Sequence, residues 1–399
     1  MNNEIKMRIE DINNGEVPNN YIKTRAGIMP LDWTGLKASK IFKSATNKKH
    51  NGEFEVLSAT QDRGIIPRSK VDIDIKYAEE SIGGYKKVDV GDFVISLRSF
   101  QGGIEYSAYQ GLVSPAYTVL KPILPINYEF FKYYFKTTDF IQRLNSTIYG
   151  IRDGKQIGYD DFGELILHYP SIAEQNKIAD ILKRCDKVIS LKQQLIEEKK
   201  KRKKWLMQNL LDPDSGVRLA GFEGEWDRPK LGEVIKVSSG NALPIEFISS
   251  KGFPVYGGNG VSGYSSKFNM NGSQIIIGRV GANCGCVYHT EGPIWVTDNA
   301  LVIREQKRKL HEPFFAYALN NINLNKYADK NAQPLVSGKK IYSIEVSLPQ
   351  QLSEQKAISD FFLVADREIS LDEKELFELE SKKKALMQLL LSGIVRIKN

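Results

Sequence analysis

The sequence predicts an α+β protein in which two mixed α/β globules are separated by two long helices. These helices form an intramolecular antiparallel coiled coil and give the chain pseudo-two-fold symmetry. Three observations carry that expectation. A long segment recurs, without a gap, 180 residues further on. Both copies show an apolar period of about 3.5 residues. Each copy is preceded by a stretch rich in Gly, aromatic and β-branched residues whose order of motifs also recurs.

The recurring segment is EQNKIADILKRCDKVISLKQQLIEEKKKRKKWLMQNLL at 174–211 and EQKAISDFFLVADREISLDEKELFELESKKKALMQLLL at 354–391, identical at 16 of 38 positions. Steps of four and three along the first copy select Ile178, Leu182, Cys185, Ile189, Ile196, Leu206 and Leu210, with Lys192, Lys199 and Lys203 in the same frame. In the second copy they select Ile358, Phe362, Ala365, Ile369, Leu376, Leu379, Leu386 and Leu390, with Asp372 and Lys383. Sustained over five heptads, this is a coiled-coil seam. No proline interrupts either copy; Pro170 and Pro349 stand ahead, and Pro213 or Gly393 follows. Ser171 and Ser353 are placed to cap the starts. Each helix would be roughly 57 Å long. Two such stripes in one chain most simply bury each other.

The flanking stretches align as well. GDFVISLRSFQGGIEY (91–106) matches GSQIIIGRVGANCGCVY (272–288), QGLVSPAYTVLKP (110–122) matches GPIWVTDNALVIRE (292–305), and YEFFKYYFK (128–136) matches EPFFAYALN (312–320). The division expected is a first globule at 1–168, with flexibility in its first 16 residues, then helix 169–212, a second globule at 213–349, helix 350–392 and a tail at 393–399.

The 399 residues carry a net charge of +8, which favours a polyanionic partner, although it is modest for a protein that coats nucleic acid. Three sparse cysteines, a polar start and no long apolar run point to a cytoplasmic protein with no membrane association. No methyltransferase DPPY/NPPY motif and no phosphate-cradling GxxxxGK[ST] is present. Gly258, Gly260 and Gly263 match GxGxxG, but the residues after them read as turn and strand where a dinucleotide site needs a helix. Cys284 and Cys286 with His289 lack a fourth ligand at finger spacing. No catalytic residue and no metal site is expected.

Base reading in the major groove needs Arg or Lys for guanine and Asn or Gln for adenine, projecting from loops. The first globule offers Gln61, Arg63, Arg98, Ser99, Gln101, Arg152, Lys155 and Gln156. The second offers Asn259, Arg279, Asn283, Gln333, Ser337, Lys339 and Lys340. Arg98 and Arg279 occupy matching places beside a glycine loop, and Lys155 and Lys339 each follow a glycine. A solvated surface charge is the competing reading at each position. The basic run KKKRKK (199–204) reads as a solvated helix face, or as one that grazes DNA or an acidic partner.

The segments VPNNYIKTRAGIMPLDW, PSIAEQNKI and PQQLSEQKAI, and the helix ends followed by SGVRLAGFEGEW and SGIVRI, resemble the specificity (S) subunits of type I restriction–modification systems. The resemblance runs from about Val17 to the C-terminus and is strongest at the helix motifs. It implies that the globules are target recognition domains, each reading one half of a bipartite, asymmetric double-stranded DNA target. It also implies that the helices set the spacer and dock two modification (adenine methyltransferase) subunits and the restriction (ATP-dependent translocase and nuclease) subunits. S-adenosylmethionine, ATP and Mg would belong to those partners, and none to this chain. The rival reading is a coiled-coil scaffold without sequence-selective DNA binding.

Overall fold

The apolar period is realised as two helices, Ile172–Leu210 and Leu352–Leu391. The computed structural model describes residues 3–71, 79–96, 103–146, 157–329 and 334–397. Contacts divide the chain into two units: residues up to Leu191 together with those from Leu376 onward, and Lys192–Glu375. Each unit therefore takes part of both long helices and one globule.

Within each unit the two helical segments run antiparallel. In the second unit Lys192 pairs with Asp372 at 2.7 Å, Lys199 with Glu368 at 3.3 Å, and Lys203 with Asp366, so numbers rise along one helix as they fall along the other. In the first unit, Asp186 meets Lys383, while Ile178 and Leu182 share a core with Met387, Leu390 and Leu391. Ile178, Leu182, Ile196, Leu210, Ile358, Phe362, Ile369 and Leu390 are buried, and Cys185, Ile189, Leu206, Ala365, Leu376, Leu379 and Leu386 are half-buried.

The globule of the first unit is built on a four-stranded antiparallel sheet ordered Phe42–Ala45, Thr118–Pro122, Phe93–Ile95, Ile104–Tyr106. The second unit repeats the order with Ile235–Ser239, Ala300–Gln306, Gln274–Gly278 and Val287–Thr290. A short aromatic helix follows the sheet in each, Tyr128–Tyr134 and Glu312–Ile322. In the first unit Phe42, Phe93, Phe131 and Phe135 meet edge-on or tilted, with Phe42 and Phe131 5.2 Å apart. Phe314, Phe315 and Leu319 fill the equivalent place in the second core with Ile358 and Phe362.

The repeated EQ at each helix start has a structural cause. The Gln175 side chain accepts the Asn127 N–H at 2.9 Å and donates to the Pro170 carbonyl at 2.9 Å. Gln355 does the same with His311, at 2.9 Å, and Pro349, at 2.8 Å. Glu174 accepts from Arg396 at 2.9 Å and from the Trp33 indole at 2.8 Å; Glu354 accepts from Arg218 at 2.7 and 2.8 Å. The arginines of SGIVRI and SGVRL thus seat the two helix starts, one in each unit.

One sequence expectation differs from the structure. Ser171 does accept the Glu174 N–H at 3.3 Å, but Ser353 lies inside the second helix, which begins on the Gln351 carbonyl. Counted back from EQ, the place of Ser171 is taken by Gln351 in the second copy, and Ser353 stands two residues further in. The first residues form helix Asn3–Asn13, from which Arg8 donates to the Ile394 carbonyl at 2.7 Å and lies over the Tyr21 ring.

Candidate nucleic-acid interface

In the first unit Gln61 and Arg63 stand at the tip of a hairpin formed by Leu57–Thr60 and Gly64–Pro67. The tip is closed by Thr60, whose hydroxyl donates to the Gly64 carbonyl at 2.9 Å and accepts the Arg63 N–H at 3.2 Å. Gly64 has φ +73°, and a Cβ there would lie 2.6 Å from the Tyr106 carbonyl oxygen, so only glycine brings the tip this close to the sheet. The Arg63 guanidinium donates to the Lys70 carbonyl at 3.1 Å.

Beside this tip is a cleft of about 810 Å³, lined among others by Gln61, Arg63, Lys70, Tyr109, Lys132 and Lys136. Glu105 lies in it, buried and paired with Lys136 at 2.5 Å. Burial pushes the Glu105 carboxyl up to about 6, against the attraction of Lys136. Sequence reasoning missed Lys132, Lys136 and Glu105. The i, i+4 spacing of the two lysines within YEFFKYYFK is the signal that could have found them.

In the second unit Asn259, Arg279 and Asn283 come together. Asn259 is at the turn between Phe253–Gly257 and Gly260–Ser265, and its side-chain oxygen accepts from the Asn283 amide. Arg279 follows the strand Gln274–Gly278, donates to the Ser239 hydroxyl at 3.0 Å, and keeps its Nε buried with no acceptor among the described residues. Its backbone bonds Asn299 on one side and Val336 on the other, at 3.0 and 2.9 Å. A Cβ at Gly278 would lie 2.2 Å from the Gly258 carbonyl oxygen, and one at Gly258 would lie 2.5 Å from the Val280 carbonyl oxygen, so neither position has room for a side chain. The GGNG stretch is therefore a strand–turn–strand connector. Ser239 and Asn299 belong to this cluster and went unnoticed, because polar residues at strand ends carry no distinguishing pattern.

The remaining candidates are placed as follows. Ser337 caps the short helix Gly338–Tyr342 by accepting the Lys340 N–H, Lys340 pairs with Asp329, and Lys339 is exposed. Arg98, Ser99, Gln101, Arg152, Lys155, Gln156 and Gln333 lie outside the described residues. Three of the six residues of the basic run are committed to the other helix: Lys199 and Lys200 pair with Asp372 and Glu373 at 2.8 and 2.9 Å, and Lys203 pairs with Asp366, whereas Lys201 pairs with Glu198 on its own helix and Arg202 and Lys204 are exposed. The acidic stretch opposite, invisible to a reading of the run alone, makes these three lysines interhelical partners and leaves the rest of the run as a solvated face.

Among the described residues no cluster of His, Cys, Asp or Glu is placed to hold a metal ion, and no helix is long and apolar enough to cross a membrane.

The family described as the type I restriction modification DNA specificity domain matches residues 33–200 and again 223–381. The chain is similar to the EcoprrI specificity subunit of Escherichia coli, at 31% identity over 132 residues; that alignment spans 32% of this chain and 33% of the relative. It is similar over nearly its whole length to the putative MjaX specificity subunit of Methanocaldococcus jannaschii, at 25% identity, covering 95% of this chain and 97% of that one. Its fold is similar to the solved S subunit of the type I restriction–modification system from M. genitalium, with TM-score 0.59 and 20% identity over 94% of this chain and 97% of the other.

Proposed function

The chain belongs to the type I restriction modification DNA specificity family, and from that premise we propose that it is the sequence-reading, non-catalytic subunit of a restriction–modification complex. Each unit reads one half of a bipartite, asymmetric DNA target. The observation that carries this reading is one frame with two different tips. The same sheet order and the same helix seating recur, yet one unit presents Gln61 and Arg63 while the other presents Asn259, Arg279 and Asn283. The shared frame holds the readers in place, and the residue types at the tips set which bases are accepted. Arg98, Ser99, Gln101, Arg152, Lys155, Gln156, Gln333, Ser337, Lys339 and Lys340 extend the proposed reading surface.

The long helices dock two modification subunits. Their outward faces carry exposed Val188, Leu191 and Phe377 in the first unit, and Leu195, Trp205, Val364 and Leu371 in the second. The modification subunits bring S-adenosylmethionine and methylate adenine; restriction subunits bring ATP and Mg.

The test is methylation-site sequencing of a host that carries the chain with its modification subunit. Disrupting the chain abolishes one bipartite methylated motif. R63A with Q61A relaxes one half of it, and R279A with N259A relaxes the other, each mismatch discrimination falling by about 1–3 kcal/mol. A motif that survives disruption of the chain, or variants in one unit that alter both halves, refutes the reading.

A further inference from the structure

In each unit a tyrosine from the aromatic helix, an aspartate from one long helix and a lysine from the other converge on a single carboxylate. The Tyr133 hydroxyl donates to Asp186 at 2.5 Å, while Lys383 pairs with the other oxygen of Asp186 and lies 5.3 Å from the Tyr133 ring centre. The Tyr317 hydroxyl donates to Asp366 at 2.6 Å, while Lys203 pairs with Asp366 and lies 5.3 Å from the Tyr317 ring centre. Asp186 and Asp366 are equivalent in the repeat, as are Lys203 and Lys383. The two lysines have exchanged roles: each helix supplies the aspartate to one unit and the lysine to the other.

The position of the tyrosine makes this more than a local bond. The aromatic helix is already tied at its start, where Gln175 bonds the Asn127 N–H and Gln355 bonds the His311 N–H. The tyrosine lies six residues further on in both copies, about 9 Å along the axis. A helix held at one point can swivel about it; held at two, its direction and rotation are both fixed. The sheet packs on this helix through Phe42, Phe93, Phe131 and Phe135 in the first unit. In the second, the helix contacts the strands Gln274–Gly278 and Val287–Thr290, so the tips follow wherever the helix points.

We propose that Tyr133–Asp186–Lys383 and Tyr317–Asp366–Lys203 are positioning clasps that set the angle of each reading surface on its own helical segments. They govern the tolerated spacing of the half-sites and not the bases read. The proposal rests on the DNA-reading function above.

The experiment uses the full chain with its modification subunit and a library in which the wild-type half-sites are separated by the cognate spacer or by one or two base pairs more or fewer. Y133F and Y317F each remove one hydroxyl. Each raises methylation of the off-by-one spacers about fivefold relative to the cognate spacer, the equivalent of one lost hydrogen bond. The preferred bases are unchanged. K383R keeps the cation and restores the wild-type profile relative to K383M. An unaltered spacer profile in Y133F and Y317F, with thermal unfolding shifted or not, overturns the proposal, and so does altered base preference at an unaltered spacing. A wild-type complex that methylates no bipartite site fails at the earlier step and overturns the reading function itself.

Discussion

Lys192 and Asp372 occupy the same place in the two copies of the repeat, and they pair with each other at 2.7 Å. Each therefore contacts its own counterpart. Pairing like with like would set Lys against Lys or Asp against Asp at a half-buried seam position. The neighbouring pairs, Lys199 with Glu368 and Lys200 with Glu373, extend the same preference. The basic segment of one helix is matched to the acidic segment of the other, which favours the first helix on the second over either on itself.

Reversing one charge should expose this. K192D and D372K each lower the thermal midpoint of the intact chain, and the double exchange K192D/D372K recovers only part of the loss, because Glu375 and Lys199 then face like charges. Differential scanning calorimetry at low and high salt checks it. An exchange no better than the sum of the single variants means that the pair does not act as a unit.

Arg396 makes two 2.7 Å bonds to Asp32, bonds Glu174, and lies over the Trp33 ring. R396A leaves Glu174 and Asp32 without their cation at the start of the first long helix. It should cost about 1–3 kcal/mol in denaturant unfolding. R396K recovers little, because an ammonium cannot make the paired bonds to Asp32.

Glu105 gives a pH signature. Its carboxyl titrates near 6 in the folded chain against an ordinary value of 4.5. Below 4.5 both states hold the proton; as pH rises, the unfolded chain ionises first, so the contribution of Glu105 to stability falls until about pH 6 and is flat above it. The unfolding free energy of wild type relative to E105Q should therefore decline by about 2 kcal/mol between pH 4 and 7. Paired denaturant titrations across that range measure it, and a difference that rises with pH contradicts the assignment.

G278A places a methyl group against the Gly258 backbone and forces the Asn259 turn away from Arg279. A cost of about 1–3 kcal/mol is expected in unfolding. Methylation should lose discrimination in the half-site read by the second unit and keep it in the other, as site sequencing will report.

The long helices were legible because a periodic stripe states both the element and its buried face, as Ile178, Leu182, Ile358 and Phe362 do. The sheet was legible because the repeat allowed GDFVISLRSF to be read against GSQIIIGRVG. Other features depend on contacts that no local pattern encodes. Glu174 is plainly part of a motif, but its arginine is 222 residues away. The lysines at 199–203 read as a surface run until Asp366, Glu368, Asp372 and Glu373 are seen facing them. At the hairpin tips, Asn259 and Asn283 stood out by residue type, whereas Ser239 joins them through the Arg279 guanidinium and Asn299 through the Arg279 backbone.

The division of the chain has a consequence for its birth on the ribosome. The second unit is a single unbroken run, Lys192–Glu375, whereas the first needs Met387, Leu390 and Leu391 to close its core. Translation delivers those side chains only after the whole of the second unit has emerged. The globule made first is thus completed last, and until then the nascent polypeptide carries a core that lacks part of its cover.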